Sequence, residues 1–165
     1  MSDPLYDGPR LEFAFAVTLR FKRMSTIADH PAGGVRSAVY VDDGYFEGPR
    51  LKGKAVPSSG GDYAMLRPDD TAMFDARYML QEEDGTLIYL QSRGYLWGRK
   101  PDVMNSLRRY AAGEGPAPAK ADYYFRTLTL FETPIGKHDW LARHAFTGFG
   151  ERRADGNHIR YYQIL

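Results

Sequence analysis

The sequence predicts an all-β protein, a single antiparallel β-barrel of about eight to ten strands with one short helix at about residues 102–112. Three observations lead there. Segments with apolar residues at every second position recur along the chain, which is the period of a strand. Turn signals separate them at intervals of roughly ten to fifteen residues, as in an antiparallel meander. Only one segment has helical spacing instead. Closing such a sheet also removes its exposed edges.

The first element is the clearest. Leu11, Phe13, Phe15, Val17, Leu19 and Phe21 alternate with Glu12, Ala14, Ala16, Thr18 and Arg20, so a strand is expected over 11–21 with one apolar face and one unusually small face. A second strand is expected over 33–41, closed by a hairpin turn at Asp42-Asp43-Gly44. Extended chain follows over 45–56, broken by Gly48-Pro49 and Gly53. Residues 61–67 read as a strand and 68–70 as a turn. Segments 71–81 and 86–98 read as a strand pair around the turn Glu83-Asp84-Gly85. Val103, Met104, Leu107, Tyr110 and Ala111 then fall at helical spacing between Pro101 and Gly113. A loop over 115–121 leads to strands over 122–133 and 140–153, joined by the turn-rich 134–139, and a last strand ends the chain from His158.

A chain of 165 residues suffices for one domain with a substantial core, expected over 11–165 behind an N-terminal extension over 1–10. Among the aromatics, 12 Tyr stand beside 9 Phe and 2 Trp, and rings with polar tips suit half-buried walls and ligand cavities. The net charge of +1 gives no electrostatic footprint for nucleic acid or an anionic membrane. Without cysteine there is no disulfide, thiol nucleophile or Cys-bound zinc. No apolar run reaches membrane-spanning length and the N-terminus lacks an apolar leader core, so a soluble, cytoplasmic protein is expected.

Motifs with defined chemistry are scarce. The glycines of 48–61 match no Walker A loop, and no G-x-S-x-G elbow occurs. His30, His138, His144 and His158 contain no pair at metalloprotease spacing, and neither metal nor cofactor is expected. Charges within strands are more informative. Asp75 and Arg77 share one strand face, about 7 Å apart, and Tyr124, Arg126 and Glu132 share another with Leu128 and Leu130. Periodicity leaves open whether these faces meet solvent or line a lumen, where buried charges must pair and their pKa values shift toward catalytic use.

Several pieces together resemble the bacterial and fungal domain-of-unknown-function family 3237. They are 44–53, 60–63, 75–78, Asp84-Gly85, 123–127, 131–133 and Trp140-Leu141, and their order spans nearly the whole chain. Tyr63, Asp70 and Ala142 depart from the family's usual Trp, Gly and Asn. The resemblance implies a compact antiparallel barrel, often oligomeric, and no settled reaction. It makes the glycines of 48–61 bends in a barrel wall that carries Glu47, Arg50 and Asp62 near one end of a cavity.

The leading functional expectation is a cofactor-independent lyase, isomerase, cyclase or hydratase acting on an apolar or aromatic metabolite. Asp62 or Glu132 would accept a proton, Arg77 and Arg126 would orient a carboxylate, enolate or carbonyl, and Tyr124 would donate. Tyr63 and Trp140 would pack on the substrate, with Glu47, Arg50 and Asp75 as further binding groups. The alternatives are a non-catalytic carrier or sensor with the same cavity, or an interaction protein whose charges only hold strands and subunits together. The expected partners are a small-molecule ligand or substrate and further copies of the chain.

Overall fold

Alternating side chains force these strands into a sheet with an apolar face that must be covered, and the sheet covers it by closing on itself. The computed structural model describes residues 8–165, so most of the expected N-terminal extension lies outside the described residues. Its strands are β1 (Leu11–Ile27), β2 (Val35–Glu47), β3 (Lys52–Ala55), β4 (Gly61–Asp62), β5 (Met65–Leu66), β6 (Ala72–Glu82), β7 (Leu87–Gly98), β8 (Tyr123–Glu132), β9 (Phe146–Arg152) and β10 (Gly156–Ile164). The wall runs β1-β10-β9-β8-β7-β6, every pairing antiparallel, and β1 also pairs with β2. The short β3, β4 and β5 follow one another in the single gap between β2 and β6, completing an eight-position closed barrel.

The lumen is filled mainly by rings. Phe15, Phe46, Phe131, Phe146 and Tyr161 are all buried, with ring centroids of touching pairs 5.0–5.8 Å apart. Each fully buried side chain of this size contributes about 1.5–3 kcal/mol of transfer free energy. Leu80, Ile88, Leu90 and Val17 complete this packed end. The helix α1 (Val103–Ala111) falls within the expected 102–112, and buries Val103, Met104 and Leu107 against the end of β7. An ion pair from Arg108 to Asp70 ties it to the turn before β6.

Four local expectations change. No turn interrupts β2 at 42–44: the strand runs on, Asp43 pairs with Arg20 across the ladder, and Gly44 sits opposite Leu19. A Cβ on Gly44 would stand 2.3 Å from the Thr18 carbonyl oxygen, so this glycine serves close strand approach rather than a turn. In β1 a register shift between Phe13 and Phe15 turns Leu11 and Phe13 outward while Phe15, Val17 and Leu19 face in. The segment 61–67 is split into β4 and β5. Finally, 140–145 is no strand: Leu141–Arg143 form a single 3-10 turn, with Trp140 and Leu141 buried, and β9 begins only at Phe146.

Candidate functional site

Strand parity decides which polar groups reach the lumen. In β6 the inward set is Phe74, Ala76, Tyr78, Leu80 and Glu82, while in β8 it is Tyr123, Phe125, Thr127, Thr129 and Phe131. Asp75, Arg77, Tyr124, Arg126 and Glu132 therefore occupy the opposite, outer faces. The reading that draws them to a barrel cavity is corrected here, because an aromatic interior selects the apolar register of each strand. Asp75 lies between Arg77 and Arg93, at 3.5 and 3.9 Å, and Glu132 is exposed. Tyr124 stacks on Trp97 at 5.4 Å, and the Arg126 guanidinium covers Phe149 at 4.0 Å. Tyr63, Asp75, Tyr124 and Arg126 do come together, along an outer trough of about 1250 Å³ whose walls also include Leu128, Leu130 and Tyr95.

Glu47 and Arg50 flank the turn between β2 and β3, away from Asp62. Arg50 lies over the Trp140 ring at 3.9 Å, a cation–π contact, and Trp140 packs on Phe146 at the closed end. Trp140 is thus part of the core, and Glu47 is exposed.

Asp62 alone among the expected catalytic groups points inward. It sits in the two-residue β4, paired with Val39 on one side and Ala76 on the other. The preceding Gly61 brings the backbones so close that a Cβ there would stand 2.3 Å from the Val39 carbonyl oxygen. Asp62 borders an interior cavity of about 30 Å³, room for a water or two, shared with Phe21, Phe74, Tyr78, Ser92, Asn157 and Tyr161. Burial raises its carboxyl to about 6, against the opposing pull of the Asp75 N–H, which donates to Oδ1 at 2.8 Å, and of the Arg152 charge. Arg152 donates to Asn157 Oδ1 at 2.8 Å, and its own N–H donates to the Tyr123 hydroxyl.

Across the same cavity stand two phenols. Tyr78 and Tyr161 are buried; their hydroxyls lie close to each other, and that of Tyr161 also close to Ser92 and Thr129, but among the described residues neither makes a hydrogen bond of full geometry. Burial pushes both above the ordinary tyrosine value, so both are neutral donors. Nearby, the Ser92 and Thr129 hydroxyls lie 2.7 Å apart. Two buried hydroxyls without a full hydrogen bond, bordering a largely apolar void, are costly unless water or a ligand atom meets them. No periodic signal marks Arg152, Asn157 or this tyrosine pair. That Tyr78 shares a face with Phe74, Ala76 and Leu80 was readable, yet its polar tip only gains meaning from Tyr161, some eighty residues away in the chain.

A second ionisable cluster lies at the β6–β7 turn, where Glu82, Asp84 and His138 present ligand atoms within 4.8 Å of one another. His138 is buried, with Nε2 3.3 Å from Asp84 and 3.9 Å from Glu82. These residue types could hold a divalent cation. However, Lys137 Nζ already lies 3.9 Å from Glu82 and 3.7 Å from Asp84, balancing their charge. Among the described residues the imidazole Nδ1 also has no partner, unlike the oriented imidazole of a metal site. The cluster reads as an ion-pair clamp on the turn.

Comparison with known proteins agrees with this architecture. A UPF0311 protein of Rhodopseudomonas palustris is 31% identical over 159 residues, covering 95% of this chain and 99% of that protein. A crystal structure of a beta-barrel like protein from Acinetobacter baumannii superposes with a TM-score of 0.81 at 26% identity, over 100% of both chains. An enzyme from Penicillium herquei has a TM-score of 0.71 at 21% identity, over 100% of this chain and 99% of that one, which shows the shared fold alone. With the family profile described as protein of unknown function (DUF3237) matching residues 9–164, the chain belongs to that family.

Proposed function

We propose that the chain is a small-molecule-binding barrel that catalyses cofactor-independent acid–base chemistry of the lyase, isomerase, cyclase or hydratase kind, with Asp62 as the proton-transferring group. The observation that carries this reading is one carboxyl raised to about 6 on a cavity that also holds two phenols without a full hydrogen bond among the described residues. A pKa near the working pH lets a carboxyl both accept and return a proton. Two neutral donors opposite it supply the means to stabilise charge that develops during reaction. The outer-face residues Arg77, Tyr124, Arg126 and Glu132 have no part in this chemistry.

A second reading, a non-catalytic carrier or sensor, is favoured by the apolar share of the lining: Leu19, Phe21, Val41, Phe74, Phe125 and Ile159. One experiment separates the two. A thermal-shift screen of aromatic acids and cyclic ketones identifies a ligand, since whatever binds the native state raises the melting temperature. Asp62→Asn is then compared for binding and for turnover of that ligand. In an enzyme the variant still binds, and turnover falls by about 100-fold or more. In a carrier affinity changes modestly and neither protein transforms the ligand. If no compound stabilises either protein, both readings fail.

A further inference from the structure

We propose that the interior site acts on an enolisable carbonyl compound, with Asp62 accepting an α-proton and the Tyr78–Tyr161 hydroxyl pair holding the oxygen on which charge develops. This rests on the acid–base reading of the cavity given above.

The argument turns on which charges the cavity contains and where. The cavity lined by the two phenols, Asp62, Ser92, Thr127 and Asn157 contains no cationic side chain among the described residues. A permanent carboxylate or phosphate would require one there, because two neutral donors do not offset the desolvation of a full charge. The guanidinium of Arg152 is instead engaged with Asn157 and acts on Asp62. An oxygen that is neutral on binding and negative only during reaction matches the phenols better. A ketone or aldehyde oxygen has that property.

Position supports the pairing of roles. Asp62 stands opposite Ala76 on β6, and Tyr78 is the next residue of the same inward face. That spacing is about 7 Å along the strand. The two groups thus flank the cavity instead of bonding each other, which leaves a place between them for a carbonyl and its α-carbon. The void of about 30 Å³ seats the carbonyl oxygen in place of a water, and the carbon skeleton extends from it toward the mouth of the cavity. Phe21 and Phe74, only partly buried, frame the apolar remainder of the ligand.

The step balances without a co-reactant. The Asp62 carboxylate takes the α-hydrogen as a proton, and the C–H electron pair becomes the C=C bond. The carbonyl π pair moves onto oxygen, where the phenols donate to it. The protonated Asp62 then returns the proton to the same carbon or, in a conjugated substrate, to a distant one, which is an isomerisation.

The test uses the intact protein with acetone, cyclopentanone and cyclohexanone in D2O. Proton NMR follows α-deuteration, and saturation-transfer NMR follows binding, with cyclohexanol as a carbonyl-free control. The expected result is exchange above the buffer rate at neutral pD. It falls by about 100-fold in Asp62→Asn and by about 10-fold or more in Tyr78→Phe, with Tyr161→Phe as a second donor variant should the first fail to fold. Binding without exchange, or exchange unaffected by Asp62→Asn, overturns the carbonyl assignment while leaving a ligand-binding barrel. Absence of both binding and exchange for all four compounds overturns the assignment, and with no stabilising compound in the wider screen the acid–base reading falls too.

Discussion

At the residue scale the consequential group is Asp62, a carboxyl bordering a void beside two aromatic hydroxyls. Its folded pKa of about 6 lies above the ordinary aspartate value of 3.8, so the folded state holds the proton more tightly than the unfolded state. The protonated form is compatible with burial, and its contribution is fully present below about pH 4. It is lost as pH rises through about 6, where the buried carboxylate costs up to about 3 kcal/mol. Asp62→Asn removes a charge that the fold disfavours. The variant is therefore expected to melt higher than the parent at pH 7.5 and no higher at pH 4, as followed by circular dichroism. Equal melting temperatures at both pH values would show that Asp62 is solvated.

The same reasoning by burial applies to Tyr78. Among the described residues its hydroxyl makes no hydrogen bond of full geometry and has only the Tyr161 hydroxyl beside it, so Tyr78→Phe deletes a weakly held group. Denaturant titration is expected to find a change within about 1 kcal/mol, well below the 1–3 kcal/mol of a buried bond whose partner is stranded. A larger loss would mean that the hydroxyl is satisfied structurally.

At the scale of elements, β4 illustrates how two residues position a site. Gly61 faces Tyr40 and Arg77 across the ladders, and Asp62 follows it into the lumen. Gly61→Ala would force its Cβ against the Val39 carbonyl, and is expected to destabilise by about 2–3 kcal/mol and to disturb Asp62 titration in the same experiment. The β6–β7 turn is held differently. His138→Ala removes a buried ring beside Glu82, which keeps Lys137 at 3.9 Å and the Asp84 N–H at 2.7 Å, so a loss of about 1–3 kcal/mol is expected in urea unfolding. Dialysis against a chelator should leave that transition where it was. A chelator-dependent melting temperature would make the cluster a metal centre.

For the whole molecule, the outer trough sets the expected behaviour in solution. Leu128 and Leu130 are 68% and 60% exposed on the outward face of β8. Beside them Arg126 donates only to the Phe125 carbonyl among the described residues, while Asp75 presents a carboxylate on the same trough. A patch holding leucines and both signs of charge can meet its own copy across a two-fold axis. Sedimentation velocity is expected to find a dimer or larger assembly that dissociates on Leu128→Lys with Leu130→Lys. A monomeric parent would leave the trough to a different occupant.

The long strands were legible because alternation over ten or more residues has one structural meaning, as in β6, β7 and β8, and because Pro101 and Gly113 bracket the only helical run. The boundaries that misled were those where glycine has two uses. Asp42-Asp43-Gly44 has the composition of a turn, yet Gly44 marks close strand approach within an unbroken β2. Residues 140–145 look extended, yet Trp140 and Leu141 anchor a 3-10 turn in the core.

Composition and periodicity by themselves determined that this chain makes a closed antiparallel sheet, and which residues share each strand face. They could not determine which face closes inward, since a period of two is symmetrical about the sheet. The combined demand of eight wall positions to bury Phe15, Phe125, Phe131 and Tyr161 made that choice, sending Arg77, Arg126 and Glu132 out. Asp62 lies in a strand too short to carry a pattern. Only the closure of β4 between β2 and β6 brings its carboxyl to the cavity shared with Tyr78 and Tyr161, and there desolvation raises its pKa to about 6.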